Sequence, residues 1–225
     1  MKTVNIRHLG LVGYEPAYEA MQAFNSSRRP DTVDEIWCLE HPPVYTLGLA
    51  GRAEHILDAG DIPVVHVDRG GQVTYHGPGQ LVVYLLLDLK RNAVGIKYYV
   101  HLLEQAVIDM LAGLSIDAAR RTRAPGVYVD DRKIAALGIR VRGGCCYHGL
   151  ALNVAMDLAP FQGINPCGYQ ALEVTQISQY GVDLGTREAA DLLLPALMKV
   201  LGFDRQQLLT GAPRGLAACA DRIVA

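Results

Sequence analysis

The sequence contains no apolar run long enough to span a membrane. The longest candidate, Leu81 to Leu87, is interrupted by Tyr84 and closed by Asp88, far short of the roughly 20 apolar residues that a membrane helix needs. The opening stretch MKTVNIRHLG also lacks the apolar core of a secretion signal. The formal net charge is only −2, so no broad basic surface for nucleic acid is indicated. We therefore expect a cytoplasmic protein that binds neither membranes nor nucleic acid.

The cysteine pattern lacks both a disulfide framework and a metal site. The five cysteines are odd in number and irregularly spaced, which favours a reducing compartment. The stretch CCYH, Cys145 to His148, offers one pair and one histidine, short of the four ligands of a structural metal site. Adjacent strand residues would also point to opposite faces. The sequence therefore predicts no metal.

Length and composition fit one domain. Of 225 residues, half are apolar and a fifth are charged, which is ordinary for a globular protein. No linker, internal repeat or low-complexity tract interrupts the pattern before about residue 203. We expect a single domain over residues 1–225, with the tail beyond Phe203 peripheral.

Three helices are predicted from apolar periodicity and capping residues. The first covers Glu15–Arg28, and the clearest covers Lys97–Leu114, whose apolar residues share one face. The last begins near Thr186, a plausible N-cap, and runs toward Gly202. Pro195 should kink or divide this last helix.

The predicted strands indicate the fold class. They lie at residues 34–39, 44–47, 63–68, 80–89, 126–129, 133–141 and 146–154. The stretch QLVVYLLLDL reads as a fully buried strand, Asp130-Asp131-Arg132 as a hairpin turn, and residues 157–169 as irregular structure. Because consecutive strands neighbour each other, we expect an α/β fold with a mixed sheet flanked by helices, not a doubly wound parallel sheet.

The stretch RGGQVTYHGPGQL, Arg69 to Leu81, has four glycines and a proline in 13 residues. Glycine lets backbone N–H groups approach a bound group closely, so the pattern predicts a shaped binding loop rather than a plain strand. Arg69, Gln72, Tyr75 and His76 add polar side chains. No Gly-Lys-Ser/Thr follows and no dinucleotide fingerprint fits. An ordinary glycine-rich hairpin is the alternative.

One cysteine and one lysine stand out by position. Cys167 lies between Pro166 and Gly168, which hold it at a turn where its sulfur can be presented to a ligand. Lys133 opens the apolar strand KIAALGI, where burial favours a lowered pKa and a role as a base that arginine cannot fill. A solvated charge at a hairpin end is the alternative for Lys133. The remaining cysteines read as small apolar packing residues: Cys38, Cys145, Cys146 and Cys219.

Two histidines raise the possibility of a different nucleophile pair. His76 and His148 both precede glycines close to the proposed site, so a Cys–His thiol enzyme is an alternative. Neither histidine has an orienting group that the sequence identifies. The other histidines have no partner that the pattern identifies: His8, His41, His55, His66 and His101.

With these residues in view, the chain resembles the lipoyl(octanoyl) transferases, the octanoyltransferases of lipoate biosynthesis. Three blocks carry the resemblance in family order: RGGQVTYHGPGQLVVYLLLDL, GVYVDDRKIAALGIRVRGGCCYHGLALNV and FQGINPCGY. EHPPVYTLG near the N-terminus supports them, and the similarity spans roughly Asp34 to Gln179. The segments before Asp34 and after about residue 200 carry little of it.

The resemblance implies a fold and a set of site residues. The fold is that of biotin and lipoate protein ligases, and the implied catalytic pair is Cys167 as acyl-carrying nucleophile with Lys133 as acid and base. Residue 136 is alanine here and often serine in relatives, which should matter little because its backbone would contribute. The implied acyl pocket consists of Arg69, Gly70, Gly71, Gln72, Val73, Thr74, Tyr75, His76, Ala136, Leu137, Gly138, Gly149, Leu150 and Ala151.

The implied reaction moves an octanoyl group from acyl carrier protein to a lysine of a lipoyl domain, through a thioester on Cys167. The acceptors would be lipoyl domains of 2-oxoacid dehydrogenase complexes and the glycine cleavage H protein. Thioester exchange is nearly isoenergetic and amide formation runs downhill, so no ATP, metal or redox cofactor is expected. Backbone N–H groups of Leu137-Gly138 and Gly149-Leu150 would stabilise the oxyanion. A monomer is expected.

Both implied protein partners are typically acidic, so docking would need a local basic patch. The sequence offers one in five arginines: Arg120, Arg121, Arg123, Arg140 and Arg142. A solvated cluster at strand ends explains the same residues equally well.

Two other readings compete. An ATP-dependent lipoate or biotin protein ligase would share the fold and a lysine, but it has no need of a nucleophilic cysteine in this loop. A non-catalytic module that binds lipoyl domains would have no need of the Cys167 and Lys133 pair.

Overall fold

Strands dominate the fold. The structure is a computed structural model that describes residues 1–166, 172–213 and 216. Its strands are β1 Thr3–Leu11, β2 Asp34–Glu40, β3 Val44–Leu47, β4 Val64–His66, β5 Val73–His76, β6 Gln80–Asp88, β7 Ala119–Arg121, β8 Ala124–Val129, β9 Arg132–Arg142, β10 Cys145–Asn153 and β11 Arg205–Leu208. Its helices are α1 Tyr14–Ser26, α2 Ile96–Gly113 and α3 Thr186–Leu201.

The main sheet has eight strands in the order β11-β1-β2-β6-β10-β9-β8-β7. Strand β1 is parallel to both of its neighbours, and the other pairs are antiparallel. The prediction of a mixed sheet flanked by helices is therefore confirmed. The predicted hairpin turn is also present, because Asp130 and Asp131 both adopt positive φ, 47° and 64°, as the tight turn between twisted strands requires.

Strand β6 shows why the sequence reads as fully buried there. Its odd-numbered residues from Leu81 to Leu87 belong to a core cluster shared with α2 and α3. Its even-numbered residues from Val82 to Leu86 pack in a second cluster with α1. Because helices cover both faces, the strand needs apolar side chains at every position.

Helix α3 is not divided at Pro195 and its N-cap differs from the prediction. It is continuous from Thr186 to Leu201, because burial of its apolar face outweighs one lost backbone hydrogen bond; the predicted kink stays a prediction. The N-cap is Gly185 rather than Thr186. The Glu188 carboxylate accepts a hydrogen bond of 2.6 Å from the Gly185 N–H. The Thr186 hydroxyl instead donates to Glu40 at 2.6 Å.

A smaller sheet of three strands, in the order β4-β3-β5, lies beside the main one. The predicted strand at 63–68 is shorter, Val64–His66. The prediction of a shaped loop rather than a strand in the stretch from Arg69 is wrong at Val73–His76, which pairs antiparallel with β3. Burial of Val73 and Tyr75 in the cluster of this sheet stabilises the strand despite the flanking glycines.

Both ends of the described chain join the main sheet. Strand β1 was not predicted, because only Val4 and Ile6 in it are fully buried. Strand β11, Arg205–Leu208, lies beyond Phe203 and pairs with β1 at the edge of the sheet with all four residues exposed. None of the helices in the described residues is long and apolar enough to cross a membrane.

Candidate active site

A narrow cavity lies over the centre of the main sheet. In β6, β10 and β9, Val82, Ala151 and Ala136 are aligned across the strands, and so are Tyr84, Gly149 and Gly138. Small side chains on β9 and β10 leave open space above the sheet, and the segment 69–76 covers it. The residues that line the cavity are Tyr14, Arg69, Gly71, Gln72, Val73, Thr74, His76, Val82, Tyr84, Ala136, Leu137, Gly138, His148, Gly149, Leu150 and Ala151.

Most of the predicted pocket residues therefore meet in one place. Two of them do not line the cavity. Tyr75 packs among Tyr45 and Phe161 on the other side of its strand. Gly70 instead joins the loop to the sheet, because its N–H donates to the Ile139 carbonyl at 3.0 Å.

Close approach of the loop to the sheet favours glycine at position 138. A side chain there would place its Cβ 3.0 Å from the Gly70 carbonyl oxygen and 3.1 Å from the Arg69 side chain, so the loop would have to give by a few tenths of an ångström. Position 149 is much tighter, since a Cβ would lie 2.1 Å from the Val83 carbonyl oxygen. Position 149 therefore excludes any larger residue.

The guanidinium of Arg69 fixes the shape of the covering loop. It donates to the backbone carbonyls of Thr46 at 2.6 Å, Gln72 at 2.7 Å and Gly70 at 2.9 Å. It also donates to the Thr46 hydroxyl oxygen at 2.9 Å. These bonds hold the glycine-rich segment against β3, so Arg69 acts on the cavity by positioning its wall.

His76 is held neutral, with its Nδ1 protonated. The side-chain amide of Gln80 donates to Asn153 Oδ1 at 2.9 Å and to the Tyr75 carbonyl at 3.3 Å. Its oxygen therefore accepts from His76 Nδ1 at 2.7 Å. Burial, together with the nearby His41 ring, lowers the pKa of His76 to about 3. A neutral imidazole with so low a pKa is a poor general base.

His148 has an orienting carboxylate that the sequence did not reveal. Its Nε2 lies 3.1 Å from Asp68 Oδ1, and the Tyr147 hydroxyl donates to the same carboxylate. Burial opposes ionisation of Asp68, but hydrogen bonds from His148, Tyr147 and Tyr18 hold the pKa of the carboxyl well below its usual range. The structure therefore supplies the orienting groups of His76 and His148, Gln80 and Asp68, that the sequence did not identify.

His41 and Tyr84 form a second polar pair behind the cavity. His41 Nδ1 lies 2.6 Å from the Val12 carbonyl and its Nε2 lies 2.7 Å from the Tyr84 hydroxyl. Because a carbonyl only accepts, Nδ1 donates and the Tyr84 hydroxyl donates to Nε2. Burial lowers the pKa of His41 to about 4 and raises that of Tyr84 well above its ordinary value. Uncharged groups therefore form this end of the cavity, and the sequence had assigned His41 no partner.

Lys133 is buried at the start of β9, with only 4 % of its surface exposed. The strand carries a bulge there, because Val127 faces Ala135 while Tyr128 faces Lys133. A bulge re-aims the neighbouring side chain, and Lys133 Nζ reaches the Pro125 carbonyl at 3.2 Å. The alternative of a solvated charge at a hairpin end does not hold.

The segment that begins at Leu172 pairs with the start of β9, and Pro166 lines a cavity shared with it. Cys167 and Cys219 lie outside the described residues. Lys133 pairs through its backbone with the segment that follows, donating to the Glu173 carbonyl and accepting from the Thr175 N–H, both at 2.9 Å. The flanking residues Pro166 and Leu172 line one open cavity together with Arg132, the neighbour of Lys133.

The other cysteines and the predicted basic patch are largely accounted for by packing and pairing. Cys38 and Cys146 are buried, which raises the pKa of each thiol to about 12, and Cys145 is half-buried.

Three of the five arginines of the predicted basic patch face carboxylates: Arg120 with Glu104, Arg121 with Asp131 and Arg140 with Asp68. Arg123 and Arg142 are exposed, so docking of an acidic partner there stays a prediction.

Comparison with known proteins adds to this geometry. The family model described as the lipoyl protein ligase A/B catalytic domain matches residues 15–198. An octanoyltransferase of Shewanella sp. strain MR-7 is 56 % identical over 216 residues, covering 96 % of this chain and 98 % of the relative. An octanoyltransferase of Chromobacterium violaceum is 59 % identical over 201 residues, covering 89 % and 97 %.

Solved structures share the fold at low sequence identity. A lipoate-protein ligase A bound with ATP superposes with a TM-score of 0.78 at 18 % identity, covering 96 % of this chain and 92 % of that one. A biotin protein ligase from Aquifex aeolicus gives a TM-score of 0.53 at 12 % identity, covering 90 % and 70 %. The predicted biotin and lipoate protein ligase-like fold is therefore confirmed.

Proposed function

The chain belongs to the octanoyltransferases of the lipoyl protein ligase A/B catalytic-domain family and is an acyltransferase of protein lipoylation, and from this premise we propose that it transfers octanoyl groups through a thioester on Cys167, with Lys133 as acid and base. The single observation that best supports the proposal is the burial of Lys133 at the start of β9, the strand whose Ala136, Leu137 and Gly138 line the cavity. An amine removed from water is suited to proton transfer.

In the first half-reaction the Cys167 sulfur attacks the thioester carbonyl of octanoyl-acyl carrier protein. A new sulfur–carbon bond forms as the carrier's sulfur–carbon bond breaks. Lys133 takes the proton of Cys167 and delivers it to the departing carrier thiol. No charge or electron is left over, so the step needs no co-reactant.

In the second half-reaction the lysine of a lipoyl domain attacks the Cys167 thioester. Lys133 removes a proton from the incoming amine, the amide bond forms, and the Cys167 thiolate leaves and is reprotonated. The acceptors we propose are the lipoyl domains of 2-oxoacid dehydrogenase complexes and the glycine cleavage H protein. We propose that the chain acts as a monomer.

Of the two backbone segments expected to stabilise the oxyanion, Leu137-Gly138 is the better candidate. Gly149 and Leu150 are paired with β6 on one side and with β9 on the other, so their N–H groups are directed into the ladder. The pairing of β8 with β9 stops at Ala135. Beyond that point the outer edge of β9 faces the covering loop and is more accessible to a reacting carbonyl.

The cavity suits an uncharged alkyl chain. Its apolar lining includes Val73, Val82, Leu137 and Leu150, and each methylene buried there contributes about 0.8 kcal/mol. The neutral His76 adds no charge, and the charge of Arg69, which also lines the cavity, is bound by the backbone carbonyls of Thr46, Gly70 and Gln72. The arrangement therefore favours a fatty-acyl tail over a charged ligand of the same length.

A comparison of donors tests this function against the rival ligase. Purified enzyme is given a lipoyl domain with either octanoyl-acyl carrier protein alone, or free octanoate with ATP and magnesium. The proposal predicts amide product only from the carrier thioester, without ATP. Product only from octanoate and ATP would replace the transferase mechanism by ligation, and no product from either donor would favour a non-catalytic module that binds lipoyl domains.

A further inference from the structure

Glu104 is a charged residue on the buried face of α2. Only 7 % of its surface is exposed, and it neighbours the fully buried Leu103. One carboxylate oxygen accepts from Arg120 Nε at 3.1 Å. The other accepts from the backbone N–H of Gly126 at 2.9 Å. A buried carboxylate is retained only with such partners, so the question is what its bond to Gly126 achieves.

The Gly126 N–H belongs to the same peptide group as the Pro125 carbonyl. That carbonyl accepts a hydrogen bond from Lys133 Nζ at 3.2 Å. In a trans peptide the N–H and the C=O point in opposite directions within one plane. Glu104 therefore holds one end of the peptide group, and the Lys133 amine binds its other end.

The residue at 126 must be glycine for this contact to form. Its φ is +144°, a conformation that residues with a side chain rarely adopt. A Cβ at this position would lie 2.7 Å from Lys133 Cε and 2.9 Å from the Ala135 carbonyl oxygen. The missing side chain leaves the space that the lysine side chain occupies.

We propose that Glu104 is a positioning residue for the Lys133 amine, acting through the Pro125–Gly126 peptide group. The carboxylate fixes the peptide plane, and its charge polarises the peptide so that the carbonyl accepts more strongly from the amine. The catalytic part of this inference rests on the role of Lys133 given above. The positioning part rests on the contacts alone.

A purely structural role for Glu104 is the competing explanation, because its pairing with Arg120 also ties α2 to β7. The two roles separate if the Lys133 amine is observed directly. The chain has five lysines, so protein labelled with 13C at the lysine ε carbons gives few NMR signals. The signal that disappears in Lys133→Arg identifies Lys133.

The experiment compares Glu104→Leu, Glu104→Gln and a control, Glu35→Gln. Glutamine at 104 keeps an oxygen that can accept from the Gly126 N–H, whereas leucine does not. Glu35 is a matched control: it is 6 % exposed and accepts from Arg7 and from Trp37 Nε1, on a strand that is not paired with β8 or β9. Thermal unfolding of each variant reports the loss of stability.

We expect Glu104→Leu to move the Lys133 signal and to lower kcat at least tenfold with little change in KM. Glu104→Gln should stay within about threefold of wild type, and Glu35→Gln should leave the Lys133 signal in place even where it lowers the melting temperature. An unmoved Lys133 signal in Glu104→Leu would overturn the positioning role. A moved signal with unchanged turnover would support the positioning of the Lys133 amine by Glu104 but overturn the use of Lys133 in catalysis.

Discussion

Replacing Gly126 by alanine should damage stability and turnover together. The new Cβ would meet the Ala135 carbonyl oxygen at 2.9 Å and Lys133 Cε at 2.7 Å, and the φ of +144° is strained for alanine. The backbone strain costs about 1–3 kcal/mol, which corresponds to a fall in melting temperature of roughly 2–4 °C per kcal/mol for a chain of this size. Because the backbone oxygen cannot yield easily, the lysine side chain must shift, and a displacement of about 1 Å at a reacting group costs on the order of 100-fold in rate.

The assay is steady-state octanoyl transfer below the melting temperature, with thermal unfolding of the same samples. Gly95→Ala is the control, because nothing lies within 4 Å of a Cβ there and its φ of −74° suits alanine. We expect Gly95→Ala to retain wild-type turnover. A folded Gly126→Ala enzyme with wild-type kcat would refute the reasoning, since the lysine would then tolerate displacement.

Three further predictions follow from the site. Lys133→Arg should lose nearly as much turnover as Lys133→Ala, because a guanidinium does not act as a base near neutral pH; near-normal kcat in the arginine variant would remove the base role. Ala151→Val should shift the preference from octanoyl toward hexanoyl donors by at least fourfold in kcat/KM, because the added methyl groups fill cavity space in which each buried methylene contributes about 0.8 kcal/mol. The control Ala155→Val, at an exposed position, should leave this preference unchanged. The free energy of unfolding, measured with urea, should fall as pH drops from 6.5 toward 4. In the unfolded chain His76 and His41 take up protons below their ordinary pKa of 6.5, whereas in the folded protein their pKa values are about 3 and about 4, so acid favours the unfolded chain. Each histidine contributes up to about 1.4 kcal/mol per pH unit, so His76→Asn should flatten this slope and an unchanged slope would contradict the neutral assignment.

The sequence predicts a strand well where the apolar pattern of the strand itself shows that it is buried. β6 is apolar at every position because helices cover both of its faces, and that pattern needs no partner to be recognised. β1 was missed because only Val4 and Ile6 are fully buried in it, so parallel pairing with β2 and β11 stabilises a strand whose pattern is weak. β5 was missed because the glycines around it indicate a loop more strongly than VTYH indicates a strand.

The candidate site was predictable where its residues form contiguous blocks, and not where it depends on distant contacts. The cavity-lining segments around Arg69, Ala136 and Gly149 came together as the resemblance implied. Tyr14 and Tyr84 line the same cavity but come from α1 and β6. The place of Tyr84 follows from strand register and that of Tyr14 from the packing of α1 on the sheet, and no local pattern specifies either.

The partners of the buried polar groups were the least predictable part. Asp68 is 80 residues from His148, and Glu104 is 22 residues from Gly126. The only sequence signal for Glu104 is a carboxylate beside the apolar face of a helix, which is more often a solvated position. Such contacts arise from tertiary packing and become visible only in the folded chain.

The most direct test of the central claim is the intact mass of the enzyme after incubation with octanoyl-acyl carrier protein, for wild type, Cys167→Ser and the control Cys145→Ser. We predict one added octanoyl group on wild type and on Cys145→Ser, labile to hydroxylamine and lost when a lipoyl domain is added, and none of this on Cys167→Ser. Amide product formed at the wild-type rate without any adduct, or by Cys167→Ser, would contradict a covalent role for Cys167 and would mean direct transfer between the two partner proteins.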